Sequence, residues 1–345
     1  MKSWSRPIVF LALSSCSAYV PYQGADSLER GRPTRAFPVS FSGVSAKRTA
    51  VASTPSPAST PTSPSSAPPP PAPTPSARSE GSFVRGTPQP AAFALIVGID
   101  HYRDVIAAPG ARNDALRFAQ IARQTLGIPE SHVHVALDDR ATKTDIESEL
   151  GWLKASATNG SRIYFFFSGH GAPDTQSASG APYLVPYDAN AKTLATTAIP
   201  LSAVMTTLAA SRAKDALVIL DSCFSGAGGR SVLPPGARPL VRVKEEPPGT
   251  QVALFTASGP SEISGPATDA PLGLFTKYVT EGLGTGQADG DGDGDVSLAE
   301  LADYVRPRVQ RDAKRDHRDQ TPSVTVGSGI GEARNFDVAW GFPTK

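Results

Sequence analysis

The stretches RIYFFFSGHG (162–171) and ALVILDSCFSG (216–226) decide how this chain folds. Each opens on a short apolar run of β-branched and aromatic residues, the composition of a strand buried on both faces of a sheet. Each run then ends in small residues. Ser168, Gly169 and Gly171 surround His170, and Ser222, Ser225 and Gly226 surround Cys223. In open α/β sheets, ligand sites lie beyond the carboxyl ends of the strands. His170 and Cys223 both fall there, among residues small enough to let a substrate backbone approach.

The flanking sequence supplies the rest of such a sheet. AFALIVGI (92–99), HVHVALDD (132–139) and QVALFTAS (251–258) read as further strands. Between and after them, helices are predicted at 108–126, where Ala115, Phe118, Ala119, Ala122 and Leu126 recur at helical spacing, at 142–156 behind a Thr142 cap, at 201–211, at 271–283 and at 297–313. Strand and helix units in alternation predict an α/β fold, a mostly parallel central sheet with helices on both faces. The SVTV run inside 319–329 has strand character, and its sheet is left open by the sequence.

Upstream of Ala92 the character changes. Residues 51–76, VASTPSPASTPTSPSSAPPPPAPTPS, are almost wholly Pro, Ser, Thr and Ala, and cannot bury a core. They predict a disordered tether over 17–91, whose proline-rich part reaches up to roughly 80 Å if extended. Residues 1–16 resemble an export signal of the lipoprotein type: Lys2 and Arg6, the short apolar PIVFLAL, then LSSC with Cys16 as the lipidated residue. The apolar part is too short to span a bilayer. The expectation is a lipid-anchored protein exported to the bacterial cell envelope, at the periplasm or outer membrane, with its folded domain at 92–345. Thirty-three Lys and Arg against 32 Asp and Glu leave a net charge of +1, so nothing points to nucleic acid as a partner.

With Cys16 lipidated, Cys223 has no disulfide partner and must be buried, spare or reactive. A single histidine is most often a satisfied core or loop residue, and a single cysteine a structural thiol. Together at two strand ends they suggest a dyad, in which the thiolate attacks and the imidazole lowers its pKa and later protonates the leaving amine. The backbone N–H groups of Gly171 and Cys223 are candidates for an oxyanion site. This chemistry needs no cofactor.

YFFFSGHG followed 53 residues later by VILDSCFSG resembles the caspase-like superfamily of cysteine peptidases (clan CD, peptidase C14 type), and within it the bacterial metacaspase-like members. The likeness extends over about 92–285, through FALIVGIDHY, PGARNDA, VALFTAS and GLFTKYV. It implies a caspase-like three-layer sandwich, protein or peptide substrates, and a His–Cys dyad without an obligatory third residue. It also implies a primary pocket containing Asp221 and Asp114, which would favour Arg or Lys before the scissile bond. Each carboxylate has a plainer reading, as a strand-end turn or a helix-start residue. The loop 226–249, with Arg230, Arg238, Arg242 and Lys244, corresponds to the region where family members are cut, and is either a self-cleavage site or an uncut active-site loop. The acidic calcium-binding stretch usual between the His and Cys of metacaspases is reduced here to Asp174 and Asp188.

A second motif stands apart. DGDGDGDVSLAE (289–300), within 285–313, fits an EF-hand-like loop, with Asp289, Asp291 and Asp293 at positions 1, 3 and 5, the Asp295 carbonyl at 7, Ser297 at 9 and Glu300 at 12. Calcium is the ion such a loop takes; the competing reading is an acidic turn that caps the next helix. The leading expectation for the chain is a cysteine endopeptidase. The alternatives are a catalytically silent caspase-like binding module tethered at the envelope, and a calcium-dependent surface scaffold.

Overall fold

The computed structural model describes residues 83–173, 180–224, 249–259 and 262–343. All belong to one compact unit, Pro75–Lys345. In chain order, strand β1 (Ala92–Gly98), helix α1 (Ala111–Gln120), β2 (Val133–Leu137), α2 (Lys143–Ser156) and β3 (Arg162–Ser168) come first. Three short strands follow, β4 (Gly171–Pro173), β5 (Pro182–Leu184) and β6 (Ile199–Pro200), with one helical turn, α3 (Leu194–Thr197), ahead of β6. Then come α4 (Leu201–Ala209), β7 (Asp215–Asp221), β8 (Val252–Thr256), α5 (Leu274–Thr285), β9 (Val296–Ser297), α6 (Leu298–Arg315), β10 (Ser323–Val326) and β11 (Asp337–Ala339).

The main sheet among the described residues runs β10-β8-β7-β3-β1-β2. Every pairing in it is parallel except β10 with β8. The expected α/β sandwich is present, and SVTV joins the main sheet as its antiparallel edge. Residue parity along the strands builds two cores, because successive side chains point to opposite faces. Ala94, Ile96, Tyr164, Phe166, Leu217 and Ile219 pack under α1, α5 and α6. Leu95, Val97, Phe165, Phe167, Val218 and Leu220 pack under α2 and α4.

Local chemistry sets the helix ends. Thr142 caps α2 in a reciprocal capping box with Asp145, and Ser297 does the same for α6 with Glu300. Gly110 precedes α1 at φ 94°, a conformation that suits glycine. Helix α1 then widens into a π-turn over Ile121–Thr125 rather than continuing as one α-helix to Leu126.

One expectation is corrected. Residues 83–91 are not tether: Phe83 packs on the α5–α6 core, Val84 N–H donates to the Gly284 carbonyl (2.8 Å) and Gly86 N–H to that of Thr125 (3.0 Å). An aromatic side chain and paired backbone groups hold this segment on the domain. After His170, β4, β5 and β6 form a small antiparallel sheet. The rest of the tether, the signal segment, Cys16, Asp174 and the basic residues of 226–249 lie outside the described residues. Among the described residues no helix is long and apolar enough to cross a membrane.

Candidate active site

Strands β3 and β7 are neighbours, and their last register pair is Ser168 with Asp221. His170 and Cys223 each lie two residues further on, so the two motifs leave the sheet side by side. Gly169 N–H donates to the Asp221 carbonyl (3.3 Å). A Cβ on Gly171 would sit 2.8 Å from the Cys223 carbonyl oxygen and 2.8 Å from the Phe224 ring, so only glycine permits this approach. The structure thus brings His170, Gly171 and Cys223 together.

His170 and Cys223 are fully buried. The His170 Nε2 lies 2.8 Å from the Ile106 carbonyl. A carbonyl only accepts, so Nε2 carries a proton in this arrangement. The Cys223 sulfur accepts the Ser264 N–H at 2.7 Å and lies 3.4 Å from the Ser264 carbonyl.

Parity also places the pocket candidates. Ser168 follows Tyr164 and Phe166, and Asp221 follows Leu217 and Ile219, so both point to the α1–α5 face. Asp114, in the first turn of α1, accepts from the Ser168 hydroxyl (2.6 Å) and from Gly273 N–H (2.7 Å). Asp221 accepts from the Ser264 hydroxyl (2.7 Å), the Thr276 hydroxyl (2.7 Å) and Thr276 N–H (3.2 Å). Both buried carboxylates therefore meet the N-terminus of α5, whose dipole favours negative charge. The Ser168, Ser264 and Thr276 hydroxyls each donate to a carboxylate, and the Ser264 oxygen also accepts from Gln320 Nε2 (3.4 Å). Gln320 braces this wall, donating to the Ala257 carbonyl (3.1 Å) and accepting from Gly265 N–H (3.3 Å). Asp188 belongs to the scaffold instead: its carboxylate accepts Lys143 N–H (2.8 Å).

The caspase-domain family profile matches residues 91–328. The chain belongs to the caspase-domain family. That family is one of cysteine peptidases, which act on proteins or peptides. Among solved structures, one of a Geobacter sulfurreducens protein matches with a TM-score of 0.50 at 19% identity, over 69% of this chain and 94% of that one. Caspase-1 of Spodoptera frugiperda matches with a TM-score of 0.48 at 15% identity, over 72% of this chain and 90% of that one. At such identities the first likeness is one of fold. No curated protein matches the chain. Within the caspase domain, sequence reasoning missed Tyr102, Ile106, Ser264, Thr276 and Gln320. Tyr102 alone carried a signal, inside GIDHY at the end of β1.

The acidic loop lies between α5 and α6. Carboxylate oxygens of Asp289, Asp291 and Asp293 lie within 4.8 Å of one another. Asp289 is buried and accepts Gly292 N–H (2.7 Å) and Gly294 N–H (3.2 Å). The Asp295 carboxylate turns away to Gly341 N–H (3.0 Å). Ser297 and Glu300 are engaged in the α6 cap, and Glu300 Oε1 also accepts Gly290 N–H (3.0 Å). Burial pushes the Glu300 carboxyl up, but hydrogen bonds from Ser297, Gly290 and Asp291 outweigh it and hold the group below its usual range. Strand β9 inside the loop pairs with β11, which ties the loop to the C-terminal segment.

Proposed function

We propose that the chain is a cysteine endopeptidase using His170 and Cys223 as its dyad and cleaving after Arg or Lys. The observation that carries this reading is the contact between the two motif turns, Gly171 against the Cys223 carbonyl, at the ends of neighbouring strands. His170 Nδ1 takes the thiol proton as the sulfur attacks the peptide carbonyl carbon. The oxygen gains charge facing the Gly171 and Cys223 N–H groups. The imidazolium then passes its proton to the leaving amine, and water, deprotonated by His170, releases the acyl group.

Asp114 and Asp221, two carboxylates gathered at the start of α5, support preference for a basic residue before the cut. A panel of fluorogenic peptides differing only at that residue tests this. Arg and Lys peptides are expected to be cut and the Asp peptide not. Asp221→Asn should lower kcat/KM for Arg by about 10- to 100-fold, the worth of one charge-assisted contact. A panel in which Asp is preferred overturns the assignment.

Calcium at 289–300 is a further part of this reading, supported by the convergence of Asp289, Asp291 and Asp293. A bound ion would screen these carboxylates from one another and join α5 to α6. Melting in calcium is expected to exceed melting in chelator, more at millimolar than micromolar ion. Glu300→Gln also disturbs the α6 cap, so its readout is the calcium-minus-chelator difference, which should shrink. Equal melting temperatures for the wild type would leave the loop as an acidic cap alone. Lipidation of Cys16 would anchor the enzyme at the cell envelope; membrane partitioning lost in Cys16→Ser is the expected result, and partitioning that persists places the anchor elsewhere.

A further inference from the structure

His170 lies beyond the last register pair of β3, where the sheet no longer holds the backbone. Among the described residues, three bonds hold it instead. Its N–H donates to the Tyr102 hydroxyl at 2.7 Å, its carbonyl accepts Val185 N–H at 3.1 Å, and Nε2 donates to the Ile106 carbonyl at 2.8 Å. The first and the last come from one loop, residues 99–108, four positions apart. The Tyr102 ring also lies against the imidazole, with centroids 4.9 Å apart and planes tilted by 34°. Next door, a Cβ on Gly169 would sit 2.5 Å from the Tyr102 hydroxyl, so the glycine before the histidine is the space that hydroxyl needs.

The loop is firm enough to hold something. Ile99 N–H donates to the Ser168 carbonyl (3.0 Å) and Ala108 N–H to the Asp100 carbonyl (2.8 Å). Asp138 accepts the Asp100 and His101 N–H groups at 2.9 and 3.1 Å and the Arg112 guanidinium at 2.9 Å. Arg103 donates from its backbone to the Tyr187 carbonyl (3.0 Å) and from its side chain to that of Asp188 (2.9 Å). None of these contacts involves the pocket carboxylates Asp114 and Asp221.

We propose that Tyr102 is a positioning residue for His170, fixing the backbone with its hydroxyl and the plane of the imidazole with its ring. This rests on the dyad reading above. Proton transfer depends steeply on the separation and alignment of the exchanging groups, whereas substrate binding depends on the pocket. Loss of Tyr102 must therefore appear in the chemical step.

Two measurements test it, peptide hydrolysis and alkylation of Cys223 by iodoacetamide at neutral pH, with folding of each variant followed by circular dichroism below its melting temperature. Tyr102→Phe keeps the ring and removes the bond to His170 N–H. Its kcat is expected to fall about tenfold with KM unchanged within about twofold, and alkylation to slow by a similar factor. Tyr102→Leu, which also removes the ring, should lose more in both. Unchanged kcat and alkylation in Tyr102→Phe overturns the proposal, and so does a raised KM at unchanged kcat, which would make Tyr102 a substrate contact. Alkylation in His170→Ala separates the two levels: a wild-type rate there sinks the dyad reading itself, while a slow rate there beside a wild-type rate in Tyr102→Phe sinks only this inference.

Discussion

Replacement of Cys223 by Ala is expected to abolish peptide hydrolysis, and His170→Ala to do nearly the same. Each loss should be about a thousandfold or more, because a thiol without its base and an imidazole without its nucleophile both leave the acylation route closed. The two act as one unit, so the double variant should be no worse than Cys223→Ala alone. Folding should survive. Cys223 contributes a small side chain whose sulfur meets the Ser264 N–H and carbonyl, and His170 sits in the turn beyond β3. Activity of Cys223→Ala close to that of wild type, measured on an Arg peptide with circular dichroism as the folding control, ends the peptidase reading. A fully inert wild type with an intact fold would instead favour the binding-module alternative.

Arg162→Ala is expected to cost about 3–5 kcal/mol of stability, the penalty for removing one partner of a buried ion pair. At the opposite end of β3 from the candidate site, Arg162 grips Asp215 through two bonds of 2.5 and 2.7 Å, with side chains 11% and 10% exposed. Its guanidinium also donates to the Asp337 carbonyl and lies 4.3 Å from the Phe336 ring centre and 5.4 Å from that of Trp340. Burial alone would lower the Arg162 pKa; the bonds to Asp215 outweigh it and the group stays charged. Loss of the guanidinium strands the Asp215 carboxylate and loosens the C-terminal segment where it crosses the sheet. The melting temperature should drop by roughly 10 °C. Arg162→Met with Asp215→Leu should regain much of this, since a packed apolar pair removes the unpaired charge. A shift under about 2 °C in Arg162→Ala would mean that water reaches Asp215 readily.

Much of the scaffold was legible in the sequence because it depends on neighbours along the chain. The apolar runs at β1, β3, β7 and β8 could only be buried strands, the intervening helices carried their own spacing, and Thr142 announced the start of α2. The placement of His170 and Cys223 at strand ends followed from the small residues after each run. Parity along RIYFFFS and ALVILD was enough in principle to put Ser168 and Asp221 on one face, since the alternation of a strand is local.

What the tertiary structure decided was the company these residues keep. The bond from His170 to Ile106 spans 64 residues, that to Tyr102 spans 68, and that from Cys223 to Ser264 spans 41. Nothing at Ile106 or Ser264 distinguishes them in sequence, because a backbone carbonyl and a backbone N–H do the work and every non-proline residue has both. The convergence of Asp114 and Asp221 on the start of α5, the packing of Phe83 on the domain, and the place of SVTV at the antiparallel edge are likewise products of docking between distant elements. By itself the sequence determined the strands, the helices and the two turns that carry the dyad candidates. The fold decided which loop holds the imidazole and which wall meets the carboxylates, because those contacts exist only once the sheet has brought its strand ends together.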